Sequence, residues 1–242
     1  MLQSPVVWCE TTGDPPEAAL FPPEERLVAR AVDKRRRELT TGRHCARQAL
    51  VQLGIAPGPI LSGPAGEPLW PAGIVGSITH CAGFRAAAVA RSTDVATVGI
   101  DAEPHEPLPE GVLEVVALSA ERIRLDRLAR HDGAVHWDRV LFCAKEAVYK
   151  AWYPHAQRML DFDEAHIALH PGADNAADNA ADDATAGTLH AELLVDGPTV
   201  DGRQLHGLAG RWAICDGLVV AAVTELRFDA DRPDRPTSAD RC

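Results

Sequence analysis

The sequence contains no run of about 18 apolar residues, so no segment is long enough to cross a bilayer as a helix. Its opening, Met1 to Glu10, lacks the basic stretch followed by an apolar one that marks an export signal. It also lacks any CxxC pair. The six cysteines, at 9, 45, 81, 143, 215 and 242, are widely scattered, which argues against a zinc ribbon or a disulfide framework and for reduced thiols in the cytoplasm. A surplus of positive charge is missing as well: 24 Lys and Arg face 35 Asp and Glu, for a formal charge of −11. Such a chain is not built to coat nucleic acid or an anionic membrane, and any polyanion must be met by a local patch. No activated serine or cysteine nucleophile is recognisable. What is present is 242 residues with 46% apolar side chains, enough for one large core or two compact halves.

Periodicity predicts helical character over residues 24–53, with a possible interruption at Thr40-Thr41-Gly42. The turn-rich stretch Gly54 to Gly73 follows, then short strands at Ile74 to Thr79, Arg85 to Arg91 and Ala96 to Ile100, the first two joined through Cys81-Ala82-Gly83. His105 to Glu110, with Pro107 and Pro109, reads as a linker. Helices are expected at Ala120 to Arg130 and Trp137 to Trp152, and strands at Ala165 to Leu169, Thr188 to Val195, Leu208 to Cys215 and Leu218 to Leu226. The second half thus repeats the element order of the first. The expected fold class is α+β, with halves at 1–106 and 107–228, a flexible polar insertion over 171–187 and a disordered tail over 229–242.

Four segments carry side chains suited to phosphate chemistry. In Val98-Gly99-Ile100-Asp101-Ala102-Glu103 an apolar run ends in two acids; if the strand continues, both project from one face, roughly 7 Å apart, where they can converge on a hard cation. In Phe142 to Lys150, helical spacing separates an apolar stripe (Leu141, Ala144, Val148, Ala151, Trp152) from a second stripe holding Phe142, Lys145, Glu146, Tyr149 and Lys150. Ser77, Thr79 and His80 end another apolar run with donors that suit phosphate oxygens. Arg36, Arg43 and Arg47 share a helix face, and guanidinium groups match phosphate in bidentate fashion. Taken singly, each also reads as an ordinary strand end, surface helix, structural histidine or solvated basic face.

In this order, Arg35 to Leu50 (RRRELTTGRHCARQAL), Pro68 to His80 (PLWPAGIVGSITH), Val98 to Glu103 (VGIDAE) and Phe142 to Lys150 (FCAKEAVYK) resemble the Sfp/EntD-type 4′-phosphopantetheinyl transferases, particularly the actinobacterial members. The resemblance implies a pseudo-twofold monomer of two similar α/β halves, with coenzyme A and Mg²⁺, or Mn²⁺, in the cleft between them. It implies transfer of the phosphopantetheine arm of coenzyme A to a serine of an acyl or peptidyl carrier protein, releasing adenosine 3′,5′-bisphosphate. By position, Asp101, Glu103 and Glu146 match the metal-binding acids, with Glu146 also a candidate base. Lys145 and Lys150 match the basic pair facing the diphosphate. His80, with Ser77 or Thr79, matches the group contacting phosphates, and Arg35 and Arg43 match the positions holding the 3′-phosphate. Glu67 departs from the pattern, standing in a Gly-X-Pro site where many relatives carry Lys or Arg, and helix spacing favours Arg36 over Arg35 as the companion of Arg43. Two alternatives stay open at this point: a metal-dependent coenzyme A phosphodiesterase or pyrophosphatase, and a noncatalytic coenzyme A-binding regulator.

Overall fold

The computed structural model describes residue 2, residues 4–172 and residues 185–227. In chain order its elements are β1 (Val7–Thr12), α1 (Pro22–Glu25), a short 3₁₀ turn, α2 (Asp33–Gln52), β2 (Ile74–Cys81), β3 (Phe84–Arg91), β4 (Val95–Pro104), α3 (Val112–Val116), α4 (Ser119–His131), α5 (Trp137–Ala156), β5 (Ala165–Pro171), β6 (Thr185–Leu193), β7 (Thr199–Val200), β8 (Arg203–Gln204), β9 (Gly207–Cys215) and β10 (Leu218–Leu226). The fold is mixed α and β, and no helix among the described residues is long and apolar enough to span a membrane.

The single helix expected over 24–53 is divided: α1 and the 3₁₀ turn come first, and α2 starts at Asp33. A buried acid fixes this division. Glu24, fully buried, accepts the N–H groups of Phe21 and Ile60 and pairs with Arg47 at 3.0 Å. From Asp33 onward α2 runs unbroken through Thr40-Thr41-Gly42. Gly42 serves close packing there, since a Cβ at that position would stand 3.1 Å from Ile78 Cγ2 on β2. β1 was not expected, and neither were α3 or the β7–β8 ribbon. The insertion is narrower than expected, because β5 reaches Pro171 and β6 begins at Thr185. The rest of it, 173–184, and the tail at 229–242 lie outside the described residues.

Two sheets organise these elements, one ordered β1-β3-β2 and the other β4-β10-β9-β6-β5. β3 shows how they join. Its alternate side chains point to opposite faces: Ala87 and Val89 pack under α2 with Cys45, Ala46 and Ala49, while Phe84, Ala86, Ala88 and Ala90 meet Val95, Val98, Ile100 and Ala102 of β4. Mostly small side chains on β3 let both layers approach. α5 covers the larger sheet with Leu141, Ala144, Val148, Ala151 and Trp152, the apolar stripe read from the sequence, over a core that includes Trp212, Leu189 and Leu208.

The sheets also touch edge to edge along β2 and β4, where side chains supply the hydrogen bonds. Ser77 Oγ accepts the Ile100 N–H at 3.1 Å, and Thr79 Oγ1 accepts the Ala102 N–H at 3.0 Å. α5 is drawn against β4 at Gly99, where a Cβ would lie 2.0 Å from Ala147 O and 2.7 Å from Ala151 N. Backbone occupies that space, so no flexible side chain can yield. Gly99→Ala is therefore expected to lower stability by about 1–3 kcal/mol as a overpacking change, read as a drop in the thermal unfolding midpoint, and to separate the acids of β4 from those of α5. An unchanged midpoint would show that the helix is not seated there.

Candidate active site

Asp101 and Glu103 both lie within β4, which continues through Pro104 as their shared orientation requires. Their environments differ. Asp101 is 4% exposed, and its Oδ1 accepts hydrogen bonds from Thr79 Oγ1 at 3.0 Å and Lys150 Nζ at 2.7 Å. Its Oδ2 is buried with no hydrogen-bond partner. An ionised oxygen in that state costs free energy that a bound cation would recover. Glu103, half-buried, pairs with Arg139 Nη1 at 3.1 Å. Burial, and next the charge of Asp101, push the Glu103 carboxyl above its ordinary pKa.

Glu146 is half-buried on α5, and burial followed by the nearby charge of Asp101 raises its pKa, with Lys150 opposing. The three acids therefore sense one another, and their accumulated negative charge with an unpartnered oxygen fits a hard divalent cation. Among the described residues no three acid, histidine or cysteine side chains stand close enough together to form a complete protein cage.

The two lysines have different positions. Lys150 reaches Asp101 and lines a cavity of about 580 Å³ between the 64–70 loop, β2 and the Tyr149, Tyr153 and Gln157 face of α5. Lys145 has its partners elsewhere in the fold, although it borders the same small cavity as Glu146. It is 4% exposed, bonded to Glu121 at 2.9 Å and to the carbonyls of Phe162 and Ala165. Glu121 also caps α4 through the Leu118 N–H and holds the Ile167 N–H. A fully buried carboxylate requires a cation, and Lys145 supplies it. Glu121 was not foreseen; its position three residues after Leu118, at the start of the α4 pattern, was the available signal. A second cavity, about 210 Å³, is lined by Lys145 itself with Glu146, Tyr149, Met159, Leu160 and Phe162. Tyr149 borders both cavities.

The expected phosphate-binding groups also separate. Ser77 and Thr79, 3% and 2% exposed, use their hydroxyl oxygens as acceptors on the β2–β4 seam; Thr79 gives its O–H to Asp101, and Ser77 borders the larger cavity. His80 Nε2 lies 3.1 Å from Arg35 Nη1, and burial lowers the pKa of its ring, which favours the neutral imidazole. Arg35 rather than Arg36 stands beside His80, because Arg36 turns back to Val28 O and Glu25. Arg43 is 4% exposed and bonds Ile60 O and Ser62 Oγ, with burial lowering its pKa to about 10. Arg47 belongs to Glu24, so the common basic face of Arg36, Arg43 and Arg47 does not exist as a free anion site. Glu67, the departure from the family pattern, folds back to accept the Ala65 N–H at 2.9 Å within its own loop.

Two outcomes follow from these assignments. Lys145→Met should cost about 3–5 kcal/mol of stability by leaving Glu121 buried and unpaired, and Lys150→Met should lower stability as well, because it strands the buried Asp101, and lose activity besides; an unchanged melting curve for either variant would contradict its pairing. Glu146 carries a raised pKa, so ionising it in the folded state opposes stability as pH rises from the ordinary carboxylate range through the raised value. Glu146→Gln should therefore be at least as stable as the parent at neutral pH, with the difference vanishing in acid, as measured by denaturant unfolding across pH.

Comparison with known proteins identifies the family. A model of the 4′-phosphopantetheinyl transferase N-terminal domain matches residues 23–90, and one of the 4′-phosphopantetheinyl transferase superfamily matches residues 97–207. The chain is 55% identical over 210 residues to the 4′-phosphopantetheinyl transferase Svp of Streptomyces mobaraensis, covering 87% of this chain and 80% of that one. It is 49% identical over 218 residues to PptT of Mycobacterium tuberculosis, covering 90% and 91%, and 50% identical over 210 residues to Npt of Nocardia iowensis, covering 86% and 90%. With its acids, lysine and flanking cavities placed as described, the chain belongs to the 4′-phosphopantetheinyl transferase superfamily.

Proposed function

We propose that this chain moves the 4′-phosphopantetheine group of coenzyme A to a serine hydroxyl of an acyl or peptidyl carrier protein in a Mg²⁺-dependent reaction, releasing adenosine 3′,5′-bisphosphate. The observation that carries the metal assignment is the buried, unpartnered Oδ2 of Asp101, held beside Lys150 and within the field of Glu146 and Glu103. Asp101 and Glu146 are the acids assigned to the cation, with Glu103 as the third and Mn²⁺ as an acceptable substitute. When bound, the cation withdraws charge from the diphosphate.

The remaining work falls to side chains. The carrier serine oxygen forms a bond to the phosphorus next to pantetheine as the bond from that phosphorus to the bridging oxygen breaks, and the serine proton passes to Glu146. Lys150 stabilises charge on the phosphate oxygens. The apolar cavity next to Glu146 suits the pantetheine arm, and the larger cavity next to Lys150 suits the nucleotide end, so that the reacting phosphorus lies between the two groups. Arg35, with His80, is assigned to the nucleotide phosphates, and Arg43 supports the Ile60–Ser62 segment next to them. The two units meeting at the β2–β4 seam, each combining a 20-residue helix with a sheet, are proposed to be related by a pseudo-twofold axis; β4, within the expected half 1–106, lies in the sheet of the second unit. Action as a cytoplasmic monomer is part of the same proposal.

Incubating an apo carrier protein with the chain, coenzyme A and Mg²⁺ should add the mass of one phosphopantetheine to the carrier, with chelator abolishing the gain. Glu146→Gln should lower turnover by about 100-fold or more, the usual contribution of a positioned base, while coenzyme A still binds. The acid limb of the pH–rate profile should lie above the ordinary carboxylate range, because burial and Asp101 raise the Glu146 pKa. No mass gain with several carriers would contradict the proposal, and phosphopantetheine released without a carrier would identify a phosphodiesterase instead.

A further inference from the structure

We infer that Arg139 is a positioning residue that fixes Glu103 to α5, and so holds it in register with Glu146. The inference rests on the metal assignment above. Arg139 lies in the first turns of α5, and its side chain is 13% exposed. Three of its nitrogens are engaged: Nη1 donates to Glu103 Oε2 at 3.1 Å, Nε to Glu106 O at 3.0 Å and Nη2 to Pro107 O at 3.0 Å. A planar fork bonded in three directions cannot turn without breaking all of them, which makes it a rigid support.

Its neighbours hold the same segment. Asp138 Oδ2 accepts the Leu108 N–H at 2.7 Å, and the His136 N–H donates to His105 Nε2 at 3.0 Å. The expected linker at 105–110 is thus fastened along its first half to the start of α5. Glu146 lies on that same helix, two turns further on. Asp101 is fixed independently by Thr79 and Lys150, whereas Glu103 has Arg139 as its ion-pair partner across 36 residues of sequence.

The sign of the effect makes the role testable. Arg139 is a positive charge near a cation site, and removing it would by charge alone tighten metal binding. Loss of positioning acts in the opposite direction, since groups that orient metal ligands typically contribute about 10-fold or more to affinity. Mn²⁺ binding to the full chain in the presence of coenzyme A, measured by calorimetry, separates the two. Arg139→Met and Arg139→Lys should each weaken Mn²⁺ by about 10-fold, the lysine variant included because it keeps the charge and loses the fork. Glu103→Gln should weaken it too, and the double variant Glu103→Gln, Arg139→Met should be no weaker than Glu103→Gln alone, because Arg139 acts through Glu103. Glu106 and Pro107 are exposed, so water can replace the arginine at their carbonyls and the variants should fold. Unchanged or tighter binding by Arg139→Met, or a double variant equal to the product of the two single effects, would overturn the inference. Absence of Mn²⁺ binding by the parent chain would overturn the metal assignment itself and Arg139's role with it, an outcome distinct from the others because in them the parent binds.

Discussion

A carboxylate buried at the junction of two sheets is the constraint around which this molecule is arranged. Asp101 is kept out of water by the packing of β3 and α5 against β4, and a charged group there must find compensation. Thr79 provides a donor from β2, Lys150 provides a cation from α5, and one oxygen is left over. Moving any of the three elements would strand the charge. The seam hydroxyls, the missing side chain at Gly99 and the Lys150 ion pair are therefore parts of one arrangement. The fully buried thiol of Cys143 adjoins it: burial, and next the charge of Asp101, push its pKa up, so it serves as packing beneath the site and not as a nucleophile.

Much of the chain's positive charge close to the site is already committed. Lys145 neutralises Glu121, Arg47 neutralises Glu24, Arg139 holds Glu103, and Arg43 is bonded to the Ile60–Ser62 segment. Glu121, Glu24 and Glu103 thereby acquire partners that also bind backbone, which makes these pairs structural supports more than surface ornaments. Lys150 and Arg35 retain partial or full exposure, beside Asp101 and His80 respectively. A protein of net charge −11 thus keeps positive charge at Lys150, on the lining of the larger cavity and beside Asp101, and at Arg35 beside His80.

Legibility from sequence followed the range of the interactions involved. The α5 stripes were readable because helical spacing alone sets them, and Leu141, Ala144, Val148, Ala151 and Trp152 are all buried as that spacing requires. Asp101 and Glu103 were readable because a strand of period two puts both on one face. The pairing of Lys145 with Glu121 was not readable, because its helix face is shared with Glu146 and only tertiary structure brings Glu121, 24 residues earlier, against it. The seam role of Ser77 and Thr79 was hidden for the same reason: nothing local shows that β2 lies beside β4 and that hydroxyls supply the hydrogen bonds there. Arg139 left no signal at all, since its acceptors lie 32 to 36 residues away and two of them are backbone carbonyls. β1 escaped notice because its six residues acquire their meaning only when paired with β3.

The central claim is that the unpartnered oxygen of Asp101 is where a divalent cation and coenzyme A become mutually dependent. Calorimetric titration of coenzyme A into the parent chain and into Asp101→Asn, each with and without Mg²⁺, tests it directly. In the parent, Mg²⁺ should tighten coenzyme A binding; in Asp101→Asn, which keeps the size of the side chain and removes its charge, that dependence should disappear. Equal enhancement by Mg²⁺ in both proteins would contradict the account.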